Sequence, residues 1–169
     1  MPIEAIRRQY RPEFVNVLFV GESASEDGSF FYLGDGLAEH TAQAFSRVYG
    51  ETTDMSRFLE RFQGNEFYLD DLCLVAVDRL SPPCREEVRI HSVPDLAKRL
   101  AAASPNVVVT VSEAIHPRVV EAMEAAGLSG IPAYVLPYPS GGSERNYVEG
   151  LVEILANLKE GGVIPVTFE

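Results

Sequence analysis

The 169 residues predict an α/β fold in which a parallel sheet of about four strands lies between layers of helices. Four apolar runs have the length of buried strands, and segments of helical period separate them. The third run, Asn106 to Val111, is nearly all valine, as expected of a strand covered on both faces. With 46% apolar residues, no tract of biased composition and no internal repeat, residues 1–169 read as one domain with a core that needs no staples.

The elements follow in order. Phe14 to Val20 is the first strand, and Leu37, Thr41, Ala42, Phe45 and Val48 then recur at helical spacing. Phe58, Leu59 and Phe62 mark a short second helix before a strand from Phe67 to Leu74. Asp78 to His91, with Pro82, Pro83 and Cys84, reads as a long loop, and long loops are often functional. Ser92 is placed to cap a helix running to about Ala103, with Leu96, Ala97, Leu100 and Ala101 as its apolar stripe. After the valine strand, Ser112 is placed to cap a helix carrying Val119, Val120 and Met123 and ended by Gly127. Ile131 to Leu136 is the fourth strand, and Ser143 opens a last helix with Tyr147, Leu151, Ile154, Leu155 and Leu158 on one side.

Charge and cysteine content narrow the function classes. Lys and Arg number 14 against 25 Asp and Glu, and a net charge of −11 repels polyanions unless the basic residues gather on one face. Cys73 and Cys84 match no metal-ligand spacing and read as reduced structural thiols. His40, His91 and His116 have no Cys, Glu or second His at ligand spacing, so no metal and no cofactor is expected. No Gly-x-Ser-x-Gly elbow is present, which leaves a serine nucleophile without support. The N-terminus has no apolar signal core and no run approaches the ~20 residues of a membrane span, so the expectation is a cytoplasmic protein with no membrane partner.

Parallel strands all point one way, so the segments after Val20, Leu74, Val111 and Leu136 fall on one sheet edge and can share a pocket. Two are suited to a ligand. Gly21, Glu22, Ser23, Ala24 and Ser25 put a carboxylate and free backbone N–H groups at a strand end, and Phe30, Phe31 and Tyr32 follow as an aromatic wall for a flat ring. Three consecutive large rings cannot all face one cavity, so some of them fill core space. Tyr138, Pro139, Ser140 and Gly141 lead into the last helix, whose N-terminus favours negative charge; a plain turn would use the same residues. Of the adjacent Asp70 and Asp71, only one can enter a given pocket because neighbouring strand residues face opposite ways, and Asp71 is the choice.

In order and spacing, Gly21-Glu22-Ser23-Ala24-Ser25 with Phe31 downstream, the strand Tyr68-Leu69-Asp70-Asp71, and Tyr138-Pro139-Ser140 resemble the uracil-DNA glycosylase superfamily over nearly the whole chain. The resemblance implies a three-layer α/β/α sandwich with a central four-stranded parallel sheet. It implies a metal-independent DNA glycosylase that hydrolyses the N-glycosidic bond of a damaged or deaminated base, acting in DNA base-excision repair. Glu22 then matches the first-motif carboxylate of the iron–sulfur-containing branch and is the candidate catalytic residue. Phe31 matches the ring that stacks on the flipped base, and Asp71 the residue that reads the pyrimidine edge. Tyr138, Pro139 and Ser140 fall on the second motif.

The chemistry suits these roles, because glycosidic cleavage builds positive charge on the sugar and negative charge on the leaving base. Glu22 would orient a water or offset the sugar charge, and N–H groups from Ser23 to Ser25 would receive a base oxygen. The chain also departs from the superfamily pattern. Asp71 stands where many relatives carry Asn, and an ionised Asp only accepts hydrogen bonds. That suits a base presenting an amino group, or else a protonated Asp71. Tyr138 replaces the second-motif His, and the four cluster-binding cysteines are absent, so no iron–sulfur cluster is expected. Arg79, Arg85, Arg89 and Arg145 would form either a local basic rim for DNA or a solvated face. Two function classes follow: a glycosylase acting on DNA that contains a damaged base, and a repurposed module binding a free nucleobase, a nucleotide or a protein. A basic rim favours the first and an acidic rim the second.

Overall fold

A computed structural model of the chain describes residues 2–50 and 54–169. Strands β1 (Val17–Gly21), β2 (Phe67–Asp71), β3 (Val107–Thr110) and β4 (Ala133–Val135) form one all-parallel sheet in the order β2-β1-β3-β4. Around it run helices α1 (Ile3–Gln9), α2 (Gly36–Tyr49), α3 (Met55–Gly64), α4 (Pro82–Ala103), α5 (His116–Ala125) and α6 (Glu144–Glu160). The chain moves one way along the sheet from β1 to β2 and the other way from β2 to β3 and β4. Right-handed crossovers therefore put α2 and α3 on one face and α4 and α5 on the other. Packing of α2 on α6 and of α4 on α5 completes the α/β sandwich expected from the sequence.

The strands alternate their faces as a doubly covered sheet requires. Phe19, Phe67, Phe62, Phe45, Phe58 and Phe168 form a buried aromatic cluster on the α2 and α3 side. These rings meet at centroid separations of 4.9 to 6.4 Å, largely tilted or edge-on, the arrangements favoured by aromatic quadrupoles. Asp71 shares the parity of Phe67 and Leu69 and lies on that side, whereas Asp70 faces α4 and accepts from Arg99 Nη1 at 2.5 Å. Register pairs Gly21 with Asp71, which brings the ends of β1 and β2 level.

Several boundaries differ from the sequence reading. β1 starts at Val17, and Phe14 is 67% exposed. β4 is a three-residue edge strand with two exposed residues, so one-sided burial shortened a run that the apolar pattern had extended. The supposed loop Asp78 to His91 is largely helix: α4 begins at Pro82 and continues through Ser92 and Pro94. Ser81-Pro82-Pro83 is a helix-start pattern, because proline at the first turn gives up an N–H that has no intrahelical partner anyway. Ser92 is no cap; its hydroxyl donates to Val88 O at 2.7 Å, one turn back. Pro94 removes one backbone bond inside the helix, while Leu96, Ala97 and Leu100 anchor the C-terminal half in the core. None of the buried residues of α4 precedes Leu96, so its first half lies at the surface beside the sheet edge.

The side-chain N-caps are aspartates to which the sequence reading assigns no role, not the serines it expects. Asp35 and Asp54 cap α2 and α3, accepting N–H bonds from Ala38 and Arg57 at 2.9 Å each. Ser112 precedes a 3-10 turn, Glu113–Ile115, and Ser143 has φ −94° and ψ 2°; neither side chain caps. A capping hydroxyl needs extended backbone at its own residue to reach forward, and Ser143 lacks it. Gly127, at φ +75°, does close α5 as expected.

Candidate functional site

The ends of β1 and β2 and the segments after β3 and β4 enclose a cavity of about 420 Å³, a size suited to a small planar ligand. Of the residues expected there, Gly21, Glu22, Ser23, Ala24, Ser25, Phe31, Asp71 and Tyr138 line it together. Pro139, Ser140 and Gly141 do not. The turn after β4 folds on itself, with Ser140 N–H donating to Tyr138 O at 2.9 Å and Ser143 N–H to Ser140 O at 3.1 Å. Only the Tyr138 side chain, 45% exposed, remains toward the crevice. Glu144 occupies the first turn of α6, where it already complements the helix dipole.

The aromatic triplet divides as steric reasoning requires. Phe30 and Phe31 contribute to the wall, both almost fully buried. Tyr32 turns into the core, where its hydroxyl donates to Leu69 O at 3.1 Å and accepts from Leu69 N–H at 2.7 Å. Phe31 is held edge-on against Tyr32 and tilted against Phe62, which fixes its ring on the cavity wall.

The loop after β1 offers donors, though fewer than its sequence suggests. Ser25 N–H is spent on Ser29 O at 3.0 Å, and Glu26 N–H on Asp78 Oδ1 at 2.9 Å. The N–H groups of Ser23 and Ala24 make no hydrogen bond to any described residue and stand on the cavity wall. Meanwhile Glu22 O and Gly21 O accept from Cys73 and Leu72 N–H at 2.8 Å, tying this loop to the end of β2.

Glu22 is gripped by two arginines that sequence reading had placed in a loop. Arg85 Nε donates to it at 3.0 and 3.1 Å, Arg85 Nη2 also bonds Oε1, and Arg89 Nε donates to Oε2 at 2.5 Å. The two arginines are one helical turn apart on the exposed half of α4, so both reach the same carboxylate. Burial tends to raise the Glu22 carboxyl, but these charge-assisted bonds outweigh it and hold the group below the ordinary carboxylate range. The signal for them was the Ser-Pro-Pro helix start followed by Arg at i and i+4.

Asp71 is the opposite case. Burial pushes its carboxyl up to about 6, against the pull of Arg7. Arg7, on a first helix that the sequence reading did not anticipate, is 3% exposed and donates from Nη2 to Asp71 Oδ2 at 3.0 Å. Its Nη1 lies 3.9 Å from Asp70 Oδ1 and has no hydrogen-bond partner, while its guanidinium sits 4.9 Å from the Phe30 ring centre. β2 is an edge strand, which is why one guanidinium can approach carboxylates belonging to both faces. The other oxygen, Asp71 Oδ1, lies close to Gly21: a Cβ there would stand 2.5 Å from it, so any other residue would have to displace the carboxyl.

The mouth of the crevice is acidic. Glu26, Asp27, Asp78 and Glu113 are exposed around it, as is Arg79, which makes no ion pair with a described residue, while the other arginines named for a basic rim pair with carboxylates. Arg89 also bonds Glu86, Arg118 bonds Glu86 and Glu121, and Arg145, on α6, bonds Glu149. Among the described residues, no group of three His, Cys, Asp or Glu is arranged to hold a metal ion, and no helix is long and apolar enough to cross a membrane. No protein-family model matches the chain, and no curated protein is detectably similar to it.

Proposed function

We propose that the crevice binds a nucleobase, carried by a nucleoside or nucleotide, and that the protein is a binding module built on a glycosylase-like sandwich. The observation that carries this reading is the convergence on one cavity of a flat aromatic wall, two unpaired N–H groups and a buried carboxyl. Phe31 supplies a stacking face worth ~1 to 3 kcal/mol per base. Ser23 and Ala24 N–H receive a ring oxygen or nitrogen, and Asp71 meets the polar edge of the ring. The acidic mouth favours a small ligand over a DNA duplex, whose phosphates would face Glu26, Asp27 and Asp78 without a free basic stripe.

A second reading, hydrolysis of an N-glycosidic bond in DNA, is favoured by the position of Glu22 on the cavity wall next to those N–H donors. Cleavage would break the bond between C1′ and the base nitrogen, with water supplying hydroxyl to the sugar and a proton to the base. Glu22 is poorly suited to drive it, because two guanidinium groups offset its charge and depress its basicity.

Titration calorimetry with deoxynucleosides tests the binding reading. Wild type is expected to bind in the micromolar to millimolar range, and Ala114→Trp, which fills the cavity from an exposed 3-10 turn, is expected to lose binding. Retained affinity in that variant would place the ligand elsewhere. Oligonucleotides containing uracil, hypoxanthine, xanthine or mismatches test the second reading: cleavage abolished by Glu22→Ala would replace the module with an enzyme.

A further inference from the structure

We propose that Arg7 is a positioning residue that makes the cavity select bases carrying an exocyclic amino group over their keto counterparts, by committing Asp71 Oδ2 and leaving Oδ1 as the polar atom offered to the ring. This deepens the nucleobase-binding reading and rests on it. The geometry is one-sided. Arg7 Nη2 takes Oδ2 at 3.0 Å from the free edge of β2, and Oδ1 lies against Gly21 with no hydrogen-bond partner among the described residues. An arginine carries only donors, so Oδ2 can only accept there, and any proton on this carboxyl must sit on Oδ1. An ionised Asp71 therefore presents a bare acceptor to the cavity, which pairs with an amino N–H and meets a carbonyl oxygen lone pair to lone pair. A protonated Asp71 presents a hydroxyl at the same place and reverses the preference.

The neighbourhood of Asp71 sets where this reversal falls. Arg7 from α1 stabilises the anion; Asp70 beside it and Asp35 at the start of α2 oppose it. Tyr138 and Cys73 approach as neutral groups that its charge pushes further from ionisation. Arg99 from α4 bonds the Asp71 backbone carbonyl at 2.9 Å. Burial raises the carboxyl to about 6, so it is mostly ionised at pH 8 and mostly protonated at pH 5.

The same geometry makes Asp71→Asn informative. Arg7 can only donate, so the Asn amide must turn its oxygen to Arg7 and its NH2 toward the cavity. Deoxycytidine against deoxyuridine, and deoxyadenosine against deoxyinosine, are pairs that differ at the amino or keto position; calorimetry at pH 8 and pH 5 reads the preference. Wild type is expected to favour the amino member by about tenfold or more at pH 8 and to reverse that preference at pH 5. Asp71→Asn is expected to favour the keto member at both pH values, and Arg7→Met in the Asp71→Asn background to erase the preference by freeing the amide to flip. Equal binding of both members or a keto preference in wild type at pH 8, or a pH effect that persists in Asp71→Asn, would overturn the inference while leaving base binding intact. Failure of all four nucleosides to bind would overturn both.

Discussion

Glu22 and Asp71 end or follow neighbouring strands, line one cavity and both bind arginine, yet their carboxyls move in opposite directions from the ordinary range. Burial raises both. At Glu22 several charge-assisted bonds from Arg85 and Arg89 overcome it, and the side chain keeps 14% exposure. At Asp71 a single bond from Arg7 faces deeper burial, with a second carboxylate next door, and desolvation wins. An ion pair thus does not dictate a low carboxyl pKa; the balance between the number of donors and the loss of water does.

The largest effect is expected where water is most fully excluded. Arg7→Met leaves the buried Asp71 carboxyl without its arginine, while Asp70 keeps Arg99, and should cost about 3 to 5 kcal/mol in urea unfolding. Adding Asp71→Leu should recover part of that loss, since it removes the charge left without its partner. If Arg7→Met costs no more than the loss of a surface arginine, burial is not what separates the two carboxylates. Next in size, Gly21→Ala forces a Cβ onto Asp71 Oδ1 and should cost about 1 to 3 kcal/mol, measurable by the same unfolding curves and relieved by Asp71→Ala.

Smaller losses belong to the Glu22 side. Arg85→Ala should cost about 0.5 to 1 kcal/mol, because its side chain is 33% exposed, and Arg89→Ala, at 14% exposure, somewhat more. Each should also raise the Glu22 carboxyl, which carbon-detected NMR titration would follow; an unmoved Glu22 would refute the grip described here. The smallest expected signal is a pair of opposed slopes in stability against pH. Glu22, lowered in the fold, stabilises above its unfolded value of 4.5 and loses that contribution as pH falls through its folded value. Asp71, raised from 3.8 to about 6, contributes most below that window and loses its contribution as pH rises through it. Glu22→Gln should flatten the first slope alone, and Asp71→Asn the second.

The two sides of the crevice also differ in how far they could be read from the chain. Gly21 to Ser25, Phe31, Asp71 and Tyr138 line one cavity, as the sequence leads one to expect, because strand ends are local features and parallel strands deliver them to one edge. Pro139, Ser140 and Gly141 lie off the cavity wall, and a turn that hydrogen-bonds to itself has no periodicity to betray its direction. The arginines were the main loss. Arg7 lies 64 residues from Asp71, and Arg85 and Arg89 lie 63 and 67 residues from Glu22, so no local pattern announces the pairings. Reading Asp78 to His91 as loop compounded this, since only a helix puts Arg85 and Arg89 on one face.

Periodicity alone therefore determined the α/β alternation, the parallel sheet and the shared edge at which Gly21 and Asp71 stand, because burial patterns are written residue by residue into each element. Which carboxylate is held as an anion, which is pushed toward neutrality, and which oxygen is offered to a ligand were decided only by the tertiary structure. Those properties depend on how much water the fold removes and which distant guanidinium it brings within 3 Å, and neither quantity exists until the chain has packed.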